Sequence, residues 1–304
     1  MSSSSVEQAI EEVCASCGTT GGDDEKLKLC TACKLVKYCS VECQKNHRPQ
    51  HKKACKKRAA EIRDDRLFTQ PEIGYLGSCP ICCLPHPLDE QKSKLNSCCC
   101  KTICRGCDWA NKTREEEQGL PQRCTFCRVP LPTTDEKIVQ NYMKRIKAND
   151  PNALFGMGNK CFHRGDVDDA IRYWKKAAEL GDVGAYYQLS VVYFEGRGVE
   201  RDMKKRLHHL EEAAIGGHTY ARWNLGCTEA ENGRFDRAIK HFIIAAKLGY
   251  DDALEEVKKY FLKGLASKEN YEAAIRGHQT AVNATKSTQR EEAYRAMVDG
   301  RGYK

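Results

Sequence analysis

Seventeen of the chain's nineteen cysteines lie between Cys14 and Cys127, and only Cys161 and Cys227 fall beyond. Cys14 and Cys17, and Cys30 and Cys33, are each separated by two residues. Cys39 with Cys43, and His51 with Cys55, are separated by three. A second set repeats the theme, with Cys79 and Cys82, Cys104 and Cys107, and Cys124 and Cys127 around a consecutive run of Cys98, Cys99 and Cys100. Clustered thiols make disulfides or bind metal, and the redox compartment decides which. The N-terminus has neither a basic leader nor an apolar run, and no 18-residue apolar stretch follows. The expectation is an intracellular chain without a membrane span, whose thiols stay reduced. There, two thiolates on one tight turn favour zinc. About four ions are expected, two per block.

Other chemistry is not indicated. There is no phosphate loop, no Gly-x-Ser-x-Gly and no carboxylate pair in a recognisable setting. Sites closed by four protein ligands leave no coordination position for a substrate, so metal-assisted hydrolysis is not expected. The formal net charge of +8 is modest for 304 residues and does not by itself imply nucleic acid.

The residues CASCG, CTACKLVKYCSVECQ and HKKAC in the first block resemble the MYND zinc finger at all eight ligand positions. That resemblance implies interleaved sites, with Cys14, Cys17, Cys39 and Cys43 on one zinc. Cys30, Cys33, His51 and Cys55 would hold the other. Spacing alone does not say which cysteines share a metal. His47 does not fit the ligand pattern and reads as a surface residue. Gln44, common in the family, is present. Arg48 stands where MYND fingers usually carry the tryptophan that grips proline-containing peptides, which puts that role in question. Seven lysines and arginines with no acid lie between Gln44 and Ala60. A solvated basic face is the expectation there, and a nucleic-acid patch the weaker alternative.

In the second block, CPICCLP, CCCKTICRGC and CTFCRVP resemble a RING finger with cysteine at every ligand position. The resemblance implies Cys79, Cys82, Cys104 and Cys107 on one zinc. Two of the triple cysteines, with Cys124 and Cys127, would hold the other. Alignment of KTIC favours Cys98 and Cys99 and puts Cys100 at a glycine position. Adjacent ligands are geometrically awkward, so Cys98 with Cys100 stays open, and Cys83 is surplus either way. RING ubiquitin ligases present a ubiquitin-conjugating enzyme through their surface. Ile81, Trp109 and Arg128, with Pro130, stand near the positions such a contact uses. Thr125 replaces a common proline. Equally, Ile81 and Trp109 could pack the finger and Arg128 could be solvated.

These modules sit in a chain whose composition changes near residue 150. Ala153, Ala185, Ala221 and Ala253 recur at intervals of 32, 36 and 32, each followed four residues later by Met157, Leu189, Leu225 or Val257. Gly165, Gly196 and Gly233 fall near mid-repeat, where glycine ends a helix. A period of this size predicts stacked helical hairpins, each burying its apolar face on the next. The four extra residues of the long repeat fall in the loop GRGVERD, residues 196–202. The stretch AYYQLSVVYFEGRGVERDMKKRLHHLEEAAIGGHTYA, 185–221, resembles Sel-one-like repeats, and the other repeats look more like tetratricopeptide repeats. Tyr173, Trp174, Tyr186, Tyr187, Tyr193 and Trp223 have helical spacing and read first as core, with a binding groove as the alternative. His208 and His209 read as rim residues, and Cys161 and Cys227 as buried thiols.

The expected fold class is two small zinc-stabilised cross-brace modules plus an all-α solenoid. A disordered tail (1–13) precedes the first finger (14–55), then come a basic helix and linker (56–78) and the second finger (79–130). A linker helix follows within 131–149, at about 134–148 and boxed by Thr133 and Glu136. The solenoid of about four hairpins (150–283) precedes a C-terminal tail (284–304). The function this implies is a zinc-binding adaptor holding protein partners through fingers and solenoid. The alternatives are a RING-type ubiquitin ligase with the solenoid as substrate arm and, more weakly, a nucleic-acid-associated regulator.

Overall fold

The computed structural model describes residues 12–21 and 26–300. The chain divides into two compact units, Met1–Thr69 and Gln70–Lys304. Residues 1–11 of the expected tail lie outside the described residues. Val13 is bridged to Thr20, and the Glu12 carboxylate pairs with Lys37.

The first unit has almost no apolar core. Its strands β1 (Lys28–Leu29) and β2 (Lys37–Tyr38) form a two-residue antiparallel ladder. Helix α1 (Val41–Phe68) follows. Ser40 caps it, its hydroxyl accepting from the Cys43 N–H at 3.1 Å. The helix runs unbroken from the last ligands of the first cysteine block through the basic stretch, so the element crosses the expected boundary at residue 55. Its buried cluster is Cys14, Cys30, Cys33 and Tyr38. A domain this small cannot fold on such a core alone, so metal must supply the difference.

The second unit starts with a 3-10 turn, Glu90–Lys92, and the hairpin β3 (Ser93–Asn96) and β4 (Lys101–Cys104). Ser93 pairs with Cys104 and Asn96 with Lys101. Helix α2 (Arg105–Glu117) follows directly. Helix α3 (Asp135–Ile146) is the expected linker helix. Its cap is Thr134, which accepts from Lys137 N at 3.4 Å, rather than Thr133.

Four helical hairpins follow: α4 (Pro151–Arg164) with α5 (Val167–Glu179), α6 (Val183–Glu195) with α7 (Met203–Ile215), α8 (Thr219–Glu231) with α9 (Phe235–Lys247), and α10 (Asp251–Leu262) with α11 (Lys268–Ala284). This is the expected all-α solenoid. The four periodic alanines are fully buried, as are Leu189, Leu225 and Val257. Small residues set the closeness of the hairpins. A Cβ on Gly158 would meet the Trp174 ring at 2.6 Å, and one on Gly226 would meet Phe242 at 2.5 Å. Trp174 is fully buried, and its indole N–H donates to Asn159 at 3.0 Å. Gly165 and Gly196 end α4 and α6 with φ of 89° and 71°. Gly233, with φ of 73°, stands just beyond the last turn of α8.

The expected C-terminal tail requires correction. It contains helix α12 (Thr288–Val298), capped by Ser287 and packed on α2 with Ala293 and Ala296 buried. Gly106 lets the two helices touch, because a Cβ there would lie 2.8 Å from the Arg290 side chain. No helix among the described residues is long and apolar enough to cross a membrane.

Candidate metal centres

One turn is built four times. In Cys14–Gly18, Cys30–Lys34, Cys79–Cys83 and Cys124–Arg128, the fifth residue donates its N–H to the first cysteine's carbonyl at 2.8–3.0 Å. That fifth residue lies in the left-handed region every time, with φ of 76°, 56°, 59° and 61°. The turn aims both thiols the same way. It also gives the surplus Cys83 a place: it is the exposed residue after the second ligand and belongs to no cluster.

The turns converge into four tetrads, within each of which all donor atoms lie inside 4.8 Å of one another. They are Cys14, Cys17, Cys39, Cys43; Cys30, Cys33, His51, Cys55; Cys79, Cys82, Cys104, Cys107; and Cys98, Cys99, Cys124, Cys127. In both modules the pairs interleave. The hairpin β3–β4 carries Cys98 and Cys99 in its turn and Cys104 at its end, so one short ladder positions ligands of two sites. Cys99 sits in a turn like the other four, with Asn96 in the first position: Cys100 N–H donates to Asn96 O at 2.8 Å, and Cys100 has φ of 52°. Cys100 thus points away from the tetrad. It is buried in the core with Tyr142, its thiol 3.8 Å from Ser97 O.

The donor set fits zinc. Bonds of about 2.3 Å in a tetrahedron put sulfurs about 3.8 Å apart. The observed separations are 3.6 Å for Cys17–Cys39, 3.5 Å for Cys39–Cys43, 3.8 Å for Cys30–Cys55, 3.8 Å for Cys82–Cys104, 3.4 Å for Cys98–Cys127 and 3.8 Å for Cys99–Cys124. His51 Nε2 lies 3.2 Å from Cys33 Sγ. A disulfide needs about 2.0 Å, and every cysteine is free. Four such sites correspond to about four zinc ions.

The protons are unevenly held without a cation. The hydrogen bond with Cys104 takes the Cys79 thiol down to about 4, and the same contact pushes Cys104 far up. Cys39 is pushed up to about 12 by Cys43 and then Cys17. At Cys14, burial pushes the thiol up, but the backbone N–H donors at Cys17, Cys39 and Ser16, together with the Cys17 thiol, lower it to about 6. Clustered thiolates repel one another, and a divalent cation removes that conflict.

The remaining residues singled out from the sequence divide. His47 is half-buried rather than a surface residue: its Nδ1 meets Tyr38 OH at 3.0 Å, and its ring stacks on His51. Arg48 is exposed. Ile81, within the Cys79–Cys82 turn, is 43% exposed. Trp109 on α2 is half-buried. The Arg128 guanidinium turns back onto α2, donating to Asn111 Oδ1 at 2.5 Å and lying 3.6 Å from Glu115. Thr125 is buried and bonds Asp108. His209 is half-buried and stacks on Tyr193, and Cys161 is buried.

Sequence reasoning missed Arg290. From α12 it donates to the carbonyls of Pro85 at 2.7 Å and Leu84 at 3.1 Å, and approaches Cys82 Sγ at 3.4 Å. A guanidinium there offsets the two negative charges of a four-thiolate zinc site and holds the ligand's turn in place. No local pattern signals it, because its partners lie 205–208 residues away.

Comparison with known proteins bears on both halves of the chain. Residues 14–55 match the MYND finger family, and residues 151–182, 183–218 and 220–250 match the Sel1 repeat. HcpC of Helicobacter pylori (strain J99), a protein that carries a beta-lactamase name, is 38% identical over 56 residues, 18% of this chain and 19% of that protein. Its counterpart in strain 26695 is 36% identical over 52 residues, 17% of this chain and 18% of that protein. The chain thus spans about a fifth of the length of these relatives. Among solved structures, a Sel1 repeat protein from Oxalobacter formigenes is 24% identical, with 56% of this chain and 51% of that chain covered at a TM-score of 0.43. The protective antigen c5321 of uropathogenic Escherichia coli is 18% identical, with 64% and 41% covered at a TM-score of 0.41. This chain carries a MYND finger at its cysteine-rich start and three Sel1 repeats in its helical part.

Proposed function

We propose that this protein is a zinc-dependent adaptor that holds protein partners through its fingers and its helical repeats. The observation that carries this reading is the closed donor set of each tetrad. All four ligands come from the chain, so the metal stabilises a surface rather than activating a substrate. We assign as ligands the sixteen residues of the four tetrads, Cys98 and Cys99 included. The boundaries at 14–55, 79–130 and 150–283 belong to the same proposal, with residues 284–300 joined to the second finger. Affinity capture with the full-length chain tests the adaptor. Specific proteins should be enriched, and a subset should be lost from a Cys30→Ser, Cys33→Ser double variant. No enrichment above background would remove the reading's support.

A second reading, a RING-type ubiquitin ligase, is favoured by the exposure of Ile81 in the first ligand turn. The Arg128 guanidinium, engaged by Asn111 and Glu115, weighs against it. Auto-ubiquitylation against a panel of conjugating enzymes separates the two. A ligase makes chains that vanish in both Ile81→Ala and Cys104→Ala; an adaptor makes none with any panel member.

A further inference from the structure

Within the second unit, a cleft of about 600 Å³ opens between the β3–β4 hairpin and the first helices of the solenoid. The segment before the second finger closes one side: Tyr75 N–H donates to Gly217 O at 3.2 Å. The Tyr75 ring stacks on His218 at 4.2 Å, and His218 stacks on Tyr187 at 4.1 Å. Phe155, Phe162 and Tyr220 extend this aromatic lining.

Apart from His163, charge in the cleft is one-sided. Glu90 and Asp182 line it, and no lysine or arginine does among the described residues. His218 brings no charge, because burial holds its imidazole down to about 3. The neighbouring acids have partners: Asp89 lies 3.7 Å from Lys92, and Asp150 lies 2.6 Å from Arg145. Asp182 has an N-cap bond from Ala185 N at 2.7 Å and no cation among the described residues. Partial burial raises the carboxyl to about 6, so at neutral pH its charged form carries a cost. Asparagine caps a helix equally well without that cost.

The lining also offers main-chain partners. The side-chain amides of Asn152 and Gln188 make no hydrogen bond among the described residues. Asn159 spends its carbonyl on Trp174 and keeps its amino group. Amides that donate and accept suit an extended peptide backbone, and aromatic faces beside carboxylates suit a cation.

We propose that this cleft binds an extended segment of a partner protein, seating an arginine or lysine side chain against the aromatic lining between Glu90 and Asp182. This rests on the adaptor reading and names the chemistry of its partner. The Tyr75–His218–Tyr187 stack provides the rigid wall, and the amides fix the direction of the strand.

The test pans a randomised peptide library on the full-length zinc-loaded chain, then measures the selected peptide by fluorescence anisotropy. Selected sequences should carry an arginine or lysine, and its replacement by glutamine should weaken binding about tenfold or more. Glu90→Gln and Asp182→Asn should each weaken the basic peptide about tenfold, while melting no lower than the parent. Gln188→Ala should weaken basic and glutamine-replaced peptides alike. Selection of acidic or uncharged sequences, or binding indifferent to Glu90→Gln and Asp182→Asn, would overturn the proposal. Partner capture from extract without selection of basic peptides would sink the cleft and leave the adaptor; failure of both would sink both.

Discussion

At the scale of single residues, the four ligand turns make a sharp claim about Cys83. It is exposed, outside every tetrad and held at φ of 59°. A non-glycine residue in that region costs about 1 kcal/mol or more. Cys83→Gly should therefore raise stability by about 1 kcal/mol in urea denaturation and leave the zinc content unchanged. Cys82→Ser, one position earlier, should lose a zinc. Asp182 supplies a pH dependence. Its folded pKa of about 6 lies above the ordinary carboxylate value, so the folded state binds the extra proton. Its cost is absent well below pH 4, grows between about pH 4 and pH 6, and is full at pH 7. The groups that act on it are the Ala185 and Gly184 N–H donors, which lower it, and Asp150, which raises it. Asp182→Asn should be more stable than the parent by about 2–3 kcal/mol at pH 7, and the gap should close only as pH falls below about 4. Comparing the two proteins at each pH cancels the acid sensitivity of the zinc sites. Most members of the four tetrads were legible at this scale because two-residue spacing encodes a turn. The choice of Cys98 and Cys99 over Cys100 was not settled by spacing. It depends on a backbone reversal at Cys100, and that cysteine also has a core to fill beside Tyr142.

At the scale of elements, α12 is the main departure from the sequence reading. It has only eleven residues, and its reason to form is a partner far upstream. Arg290 bonds the turn after Cys82, and Gly106 makes room for it. Neither residue has a local pattern that predicts the contact. Arg290→Ala should speed zinc release from the Cys79, Cys82, Cys104 and Cys107 site to a chelator by about tenfold, the usual range for removing a ligand's support. The Cys30, Cys33, His51 and Cys55 site should release zinc at the parent rate. Equal rates at all sites would mean that α12 packs on the finger without supporting it. The linker helix shows the opposite case: its existence and apolar face were readable, but the capping box of Thr133 with Glu136 pointed one residue early. Only the path of the chain selects Thr134.

At the scale of the whole molecule, the solenoid was the most legible part. Helices can approach closely only where side chains are small, so Ala153, Ala185, Ala221 and Ala253 impose a visible period. The glycines facing Trp174 and Phe242 obey the same constraint. Gly226→Val should cost about 1–3 kcal/mol through overpacking against Phe242, read as a lower melting temperature of the helical signal. The two cysteine modules depend on metal instead, and the measurement that tests the account most directly is the native mass of the intact chain. About four zinc ions per chain, with all nineteen cysteines reduced after acid release of the metal, is the expected result. A metal-free chain whose mass is lowered by disulfides would contradict it.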